Sequence, residues 1–149
     1  MNLSASILLK ISLATGLLFP THAPIQQDTV PVTVVITNLV SPTSTITLNF
    51  YNSSESFLKS GKAALHKKIV PQQQNTVQFQ VELEPGEWAI ALSQDVNDNG
   101  KMDRNFLGIP TEPYAFSNNV RPRFKAPDFE ECMFVAEGES QTVAIRLEK

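Results

Sequence analysis

Apolar and polar residues alternate with period two through much of the chain. In "TVPVTVVITNL", Val32, Val34 and Ile36 are set against Thr33 and Thr37, and "STITLNFYN" repeats the pattern with Ile46, Leu48 and Phe50. Successive side chains of a strand point to opposite faces, so each stretch predicts a strand with one face on a core. Ser41-Pro42 supplies the break between them. "KKIVP" predicts a short edge strand ended by Pro71, because proline cannot donate to a ladder. Residues 52–66 lose the period and predict a short helical turn or an irregular crossover.

The clearest pattern is "NTVQFQVELEPGEWAIALSQD". Val77, Phe79, Val81 and Leu83 alternate with Gln78, Gln80, Glu82 and Glu84. Pro85-Gly86 reads as a turn, and Trp88, Ile90 and Leu92 carry an apolar face back, which predicts a β-hairpin. "FEECMFVAEGESQTVAIRLE" predicts a second hairpin about Glu137-Gly138. Cys132 and Phe134 share one face there, opposite a stripe of Val143, Ile145 and Leu147. Residues 104–128, rich in proline, asparagine and aromatics, keep no period. Six or seven short strands with turn signals between them, and no long amphipathic helix, predict an all-β fold. Its expected form is an antiparallel β-sandwich of about seven strands.

The N-terminus departs from this pattern. "MNLSASILLKISLATGLLFPTHA" carries one charge, Lys10, a short apolar run and small residues around Ala23. It predicts a secretory signal peptide over residues 1–23, followed by one β-sandwich domain over 24–149. The run is too short to span a bilayer, which takes ~20 apolar residues, so export without a transmembrane segment is expected, to a periplasm or the medium. Twelve Lys and Arg against fifteen Asp and Glu give a net charge of −3. That acidity argues against nucleic acid as a partner. Cys132 is the single cysteine, so no intramolecular disulfide is available.

Candidate chemistry concentrates in "SQDVNDNGKMDRNFLGIP". Asp95, Asn97 and Asn99 occupy the first, third and fifth places of a cation-binding loop, with Gly100 in the sixth, where the backbone must reverse. The carbonyl of Lys101 follows, and Asp103 takes the ninth place, direct or through water. Asp and Asn also favour plain turns. A plain turn does not account for Asp95, Asn97 and Asp103 at the remaining ligand places. The twelfth place holds Phe106, which has no oxygen, so the last ligands must come from water or from elsewhere. Glu112 is the nearest free carboxylate in sequence. An all-oxygen set suits Ca²⁺ better than magnesium, zinc or copper, with an affinity of ~10⁻⁴–10⁻³ M expected for such an incomplete site.

The loop and its sequel, "PGEWAIALSQDVNDNGKMDRNFLGIPTEPYAFSNN", resemble the bacterial domain-of-unknown-function family 2141. The resemblance rests on the Asp-x-Asn-x-Asn-Gly-x-x-Asp loop of residues 95–103 and on Asn105-Phe106-Leu107-Gly108-Ile109-Pro110. Glu112 and Phe116-Ser117-Asn118-Asn119 complete it. The resemblance implies that Phe106 belongs to the pattern, and implies no activity. The loop is also similar to calcium loops in the transthyretin-like B-type repeats of Gram-positive adhesins, though those close with Glu. The "LEPGEW" turn is similar to one in transthyretin-like sandwiches. These likenesses imply a transthyretin- or immunoglobulin-like sandwich.

Other candidates have plainer readings. His66 lacks a nucleophile partner and is expected at the surface; Cys132 is expected to be buried as a small apolar residue. No catalytic constellation stands out, so the protein is expected not to be an enzyme. Trp88 falls on an apolar strand face and is expected in the core. Tyr114, Phe116 and Phe124, with the basic "RPRFK" of residues 121–125, are the aromatics and cations available to a cell-surface glycan or protein partner. The expected role is therefore structural: a cation orders residues 105–119, which Phe106, Leu107 and Ile109 anchor by packing. A carbohydrate- or ligand-binding module is the alternative.

Overall fold

The computed structural model describes residues 28–148, so the predicted leader lies outside the described residues. Eight strands form: β1 (Val30–Thr37), β2 (Ile46–Tyr51), β3 (Leu65–Ile69), β4 (Val77–Leu83), β5 (Gly86–Gln94), β6 (Tyr114–Phe116), β7 (Phe134–Ala136) and β8 (Gln141–Arg146). Helical structure among the described residues is limited to a 3-10 turn at Ser117–Asn119 and the single turn α1 (Phe129–Cys132). One sheet has the order β4-β1-β8; the other runs β3-β2-β5-β6, with β7 pairing the start of β5. Every pair is antiparallel except β1 with β8, which is parallel. The expected all-β sandwich is the fold.

The alternation explains the core. Val32, Val34 and Ile36 of β1, Val77, Val81 and Leu83 of β4, and Val143 and Ile145 of β8 face Ile46, Leu48 and Phe50 of β2 and Trp88, Ile90 and Leu92 of β5 in one buried cluster. The outward positions of β1, β4 and β8 are mostly Thr, Gln and Glu, which leaves the far face of the first sheet polar. β5 differs because both of its faces are buried from Trp88 to Leu92. Ala89 and Ala91 on its second face pack with Tyr51, Phe57, Phe116, Phe129 and Cys132. Phe57 sits edge-on to Tyr51 and Phe129, with ring centroids 5.4 and 5.7 Å apart. Residues 52–64 and the segment around α1 thus roof the second sheet.

Neither predicted hairpin forms. β4 pairs with β1 and β5 with β2, so the Pro85-Gly86 turn carries the chain from one sheet to the other. An apolar stripe on each strand meets the same core either way; burial decides the partner. β5, covered on two faces, needs a central place, whereas β4 alternates buried and exposed and suits a sheet edge. The turn at Glu137-Gly138 likewise crosses between sheets, from β7 on β5 to β8 on β1. Cys132 belongs to α1 and not to a strand. α1 opens where Glu131 Oε2 accepts the Asp128 backbone N–H at 2.7 Å, a reciprocal cap at a helix start.

The sheets are joined at both sides. Tyr114 and Glu148 exchange main-chain hydrogen bonds at 3.1 and 3.4 Å. Asn119 stands in for a strand against β8, accepting the Arg146 N–H at 2.8 Å and donating to the Ala144 carbonyl at 3.3 Å. On the opposite side, Lys67 of β3 lies over the Phe79 ring of β4 at 5.2 Å. An inward-pointing cation on an edge strand also discourages further strand addition.

Candidate functional site

The loop that carries the candidate ligands starts from a fixed frame. Gln94, next in the inward series after Trp88, Ile90 and Leu92, is fully buried. Its Oε1 accepts the N–H groups of Val40 and Ser41 at 2.9 and 3.2 Å, and its Nε2 donates to the Ser41 carbonyl. The Gln94 N–H donates to the Pro113 carbonyl and the Asp95 N–H to that of Thr45, both at 2.9 Å. Residues 40–45 and 112–113 therefore hold the end of β5 from two directions.

Asp95 then folds the chain back on itself. Its Oδ1 accepts the Asn99 N–H at 3.1 Å and its Oδ2 the Gly100 N–H at 2.7 Å. Gly100 takes φ +76°, the reversal expected of it, and Asp98 also adopts a positive φ of 58°. Asn97 and Asn99 direct their Nδ2 groups to one oxygen, Asp103 Oδ2, at 2.6 and 2.9 Å. The Asn99 Oδ1 accepts the Lys101 N–H at 2.8 Å, while the Lys101 side chain is exposed. Glu112 closes the group: its Oε1 accepts the Val96 N–H at 3.0 Å and its Oε2 the Asp103 N–H at 3.3 Å. Asp95, Asn97, Asn99, Asp103 and Glu112 are thus brought together around one turn.

Charge is unbalanced there. Asp95 and Glu112 are only 8% and 5% exposed. The ion pairs among the described residues are Arg121–Glu148 and Lys125–Asp128, so neither buried carboxylate faces a cationic side chain. Backbone N–H dipoles offset part of the cost of burying two charges. Among the described residues no three His, Cys, Asp or Glu side chains group as a metal cluster. A cation held here would draw on the Asn97 and Asn99 carboxamides and the Lys101 carbonyl as well as carboxylates. A half-turn of each carboxamide exchanges its donor for an acceptor, so the atoms that now cap Asp103 can present oxygen instead.

The expected clasp is not one. Phe106, Leu107 and Ile109 are 95%, 67% and 52% exposed, so they do not anchor the segment by packing. Polar groups hold it instead. Asn105 Oδ1 accepts the N–H groups of Leu107 and Ile109, both at 3.0 Å, and Arg104 Nη1 donates to the Gly108 carbonyl at 2.9 Å. The Asn105 and Gly108 N–H groups bond within the same turn, to Ile109 and Asn105 carbonyls. The result is a closed turn with its apolar side chains in solvent.

Phe116 is buried in the second cluster, edge-on to Tyr114 at 5.9 Å, which takes it out of the exposed aromatics. Tyr114 is half-buried, and Phe124 is fully exposed between Arg123 and Lys125. Tyr114, Phe116, Val120, Arg121 and Arg146 line one hollow of about 140 Å³. Within the basic stretch, Arg121 pairs with Glu148 and Lys125 with Asp128. His66 is exposed on the outward face of β3, its Nδ1 2.8 Å from Asn49 Oδ1. Cys132 is buried as expected, and burial, helped by nearby Glu131, pushes its thiol pKa up to about 12.

Three residues have structural roles that the sequence pattern does not assign. Gln94 was legible as a polar residue in step with an apolar stripe. Ser117, fully buried, accepts the Ile90 N–H at 2.9 Å and donates to the Cys132 carbonyl. Asn118, at φ 59°, donates to the Met133 carbonyl at 2.7 Å. With Asn119 on β8, the Phe116-Ser117-Asn118-Asn119 run joins β5, α1 and β8. Its amides and hydroxyl bond to the main chain, and no period announces that.

No curated protein and no solved structure matches this chain. A family model described as "Uncharacterized protein conserved in bacteria" (DUF2141) matches residues 34–144, from the third inward-facing position of β1 to the middle of β8. The loop, the exposed turn and the Ser-Asn-Asn junction all fall inside that span, and the chain belongs to this bacterial family.

Proposed function

We propose that this is an exported, non-catalytic β-sandwich protein whose residues 95–112 bind a Ca²⁺-type cation. The observation that carries the reading is the pair of buried carboxylates, Asp95 and Glu112, on one turn with no cationic side chain against them. Asp103 and the two asparagines complete an oxygen set of the kind a hard cation takes. The ion's role is structural: it bridges the end of β5 to residues 103–112 and stiffens the turn beyond. Export rests on the leader pattern of residues 1–23.

Calcium at about ten times its dissociation constant adds about 1.4 kcal/mol to stability by mass action. The test is a thermal melt with calcium and then with chelator. Tm rises with calcium and falls back with chelator, and Asp95→Asn removes the response. An unchanged Tm, together with no heat of binding in calorimetry, overturns the reading.

A second reading has its own observation. Tyr114, Phe116 and Arg121 line one hollow, which suits a sugar ring or a small anionic ligand from a cell-surface glycan or protein. A glycan array separates it from the first. Binding lost in Tyr114→Ala and unaffected by chelator favours the hollow.

A further inference from the structure

We propose that the turn at residues 105–110 is a membrane-docking tip, inserted into an anionic bilayer surface when the adjoining loop holds its cation. This rests on the cation reading above. Phe106, Leu107 and Ile109 are all exposed within four residues of one turn, and the turn's own hydrogen bonds keep them there. The turn is closed by the Asn105 side chain, by Arg104 on the Gly108 carbonyl, and by the bridge between Arg104 and Pro110. Contiguous apolar side chains rimmed by polar ones mark a site of contact.

Lipid fits this tip better than a protein pocket does. A convex point needs no complementary cavity in a bilayer interface. Pairing backbone groups lowers the cost of entering that interface, and here the Asn105, Leu107, Gly108 and Ile109 N–H groups bond within the turn, which leaves that of Phe106 to water or a lipid headgroup. Lys101 and Arg104 stand exposed at its base, on long stems that reach lipid phosphates while the apolar residues enter.

Charge supplies the dependence on the ion. Residues 95–112 carry four carboxylates, Asp95, Asp98, Asp103 and Glu112, against the two cations, a net −2. An anionic surface repels that segment. A divalent ion brings it to neutrality and leaves Lys101, and the Arg104 N–H groups not given to the Gly108 carbonyl, to act on phosphates. Three side chains give weak, reversible attachment, the regime in which one ion can decide between bound and free.

The experiment is co-sedimentation of the protein with vesicles of equimolar phosphatidylglycerol and phosphatidylcholine, in calcium and in chelator, with Tm measured on the same samples. The protein pellets in calcium and is released by chelator. The double variant F106S/L107S keeps its calcium-induced rise in Tm and partitions about tenfold or more less. A Tm rise without pelleting overturns the docking tip and leaves the cation reading standing. Neither Tm rise nor calcium-dependent pelleting removes both. Equal partitioning of wild type and F106S/L107S assigns attachment to charge alone and overturns the tip. Self-association lost in F106S/L107S, without vesicle binding, assigns the tip to a second copy of the chain and overturns it too.

Discussion

Cys132 is held in α1 against β5 with its thiol pKa raised to about 12 from an ordinary 9.0, chiefly by burial. A raised folded-state value means that the unfolded chain ionises first as pH rises. The stability tied to this thiol is whole below about pH 9 and is lost as pH climbs towards 12. Urea titrations across that window should show a steeper alkaline loss for wild type than for Cys132→Ala. Parallel curves would refute the assignment. The same burial predicts slow labelling by thiol reagents in the native state and fast labelling in urea. Of the single residues, Asp95 was legible from spacing as the head of a tight loop, where it accepts the Asn99 and Gly100 N–H groups. Phe106 was not: an apolar residue in a sequence announces a need for cover without saying whether this chain supplies it.

Elements were legible as strands and illegible as neighbours. Period two in β1, β2 and β4 reports which side chains share a face, and those faces are the ones buried. The period carries no information about which strand lies alongside. Both turns that looked like hairpins, Pro85-Gly86 and Glu137-Gly138, therefore turned out to cross between sheets. The double burial of β5 held the clue: Ala89 and Ala91 are small enough to admit a second layer on the face away from the main core. Gly86 makes the first crossing at φ +139°, and nothing lies within 4 Å of where a Cβ would stand. Gly86→Ala should therefore cost backbone strain alone, about 1–3 kcal/mol, read as a lowered urea midpoint with unchanged slope. A wild-type midpoint would show that the crossing does not need that conformation.

At the scale of the whole molecule, the two sheets share one core and are tied at their margins by Tyr114 with Glu148, by Asn119 with β8, and by Lys67 over Phe79. Such a body should unfold as a unit. Trp88, the chain's single tryptophan, is buried at the start of β5 with its indole N–H on the Glu84 carbonyl at 2.9 Å. Its fluorescence reports the core, and far-ultraviolet circular dichroism reports both sheets. The two transitions in urea should coincide; separate midpoints would mean that one sheet outlives the other.

The parallel pairing of β1 with β8 sets when that unit can exist. β1 is the middle strand of its sheet, and its two partners lie at residues 77–83 and 141–146. Loop-closure entropy must be met across more than a hundred residues before the sheet's centre has both neighbours. Until the eighth strand arrives, β1 presents an open edge and the core lacks the side that Val143 and Ile145 fill. In a nascent chain of this design the first sheet therefore stays unfinished until β8 has been made. For that interval the β1 edge is open to pairing with any other strand, which makes it the place where misassembly of this fold would begin.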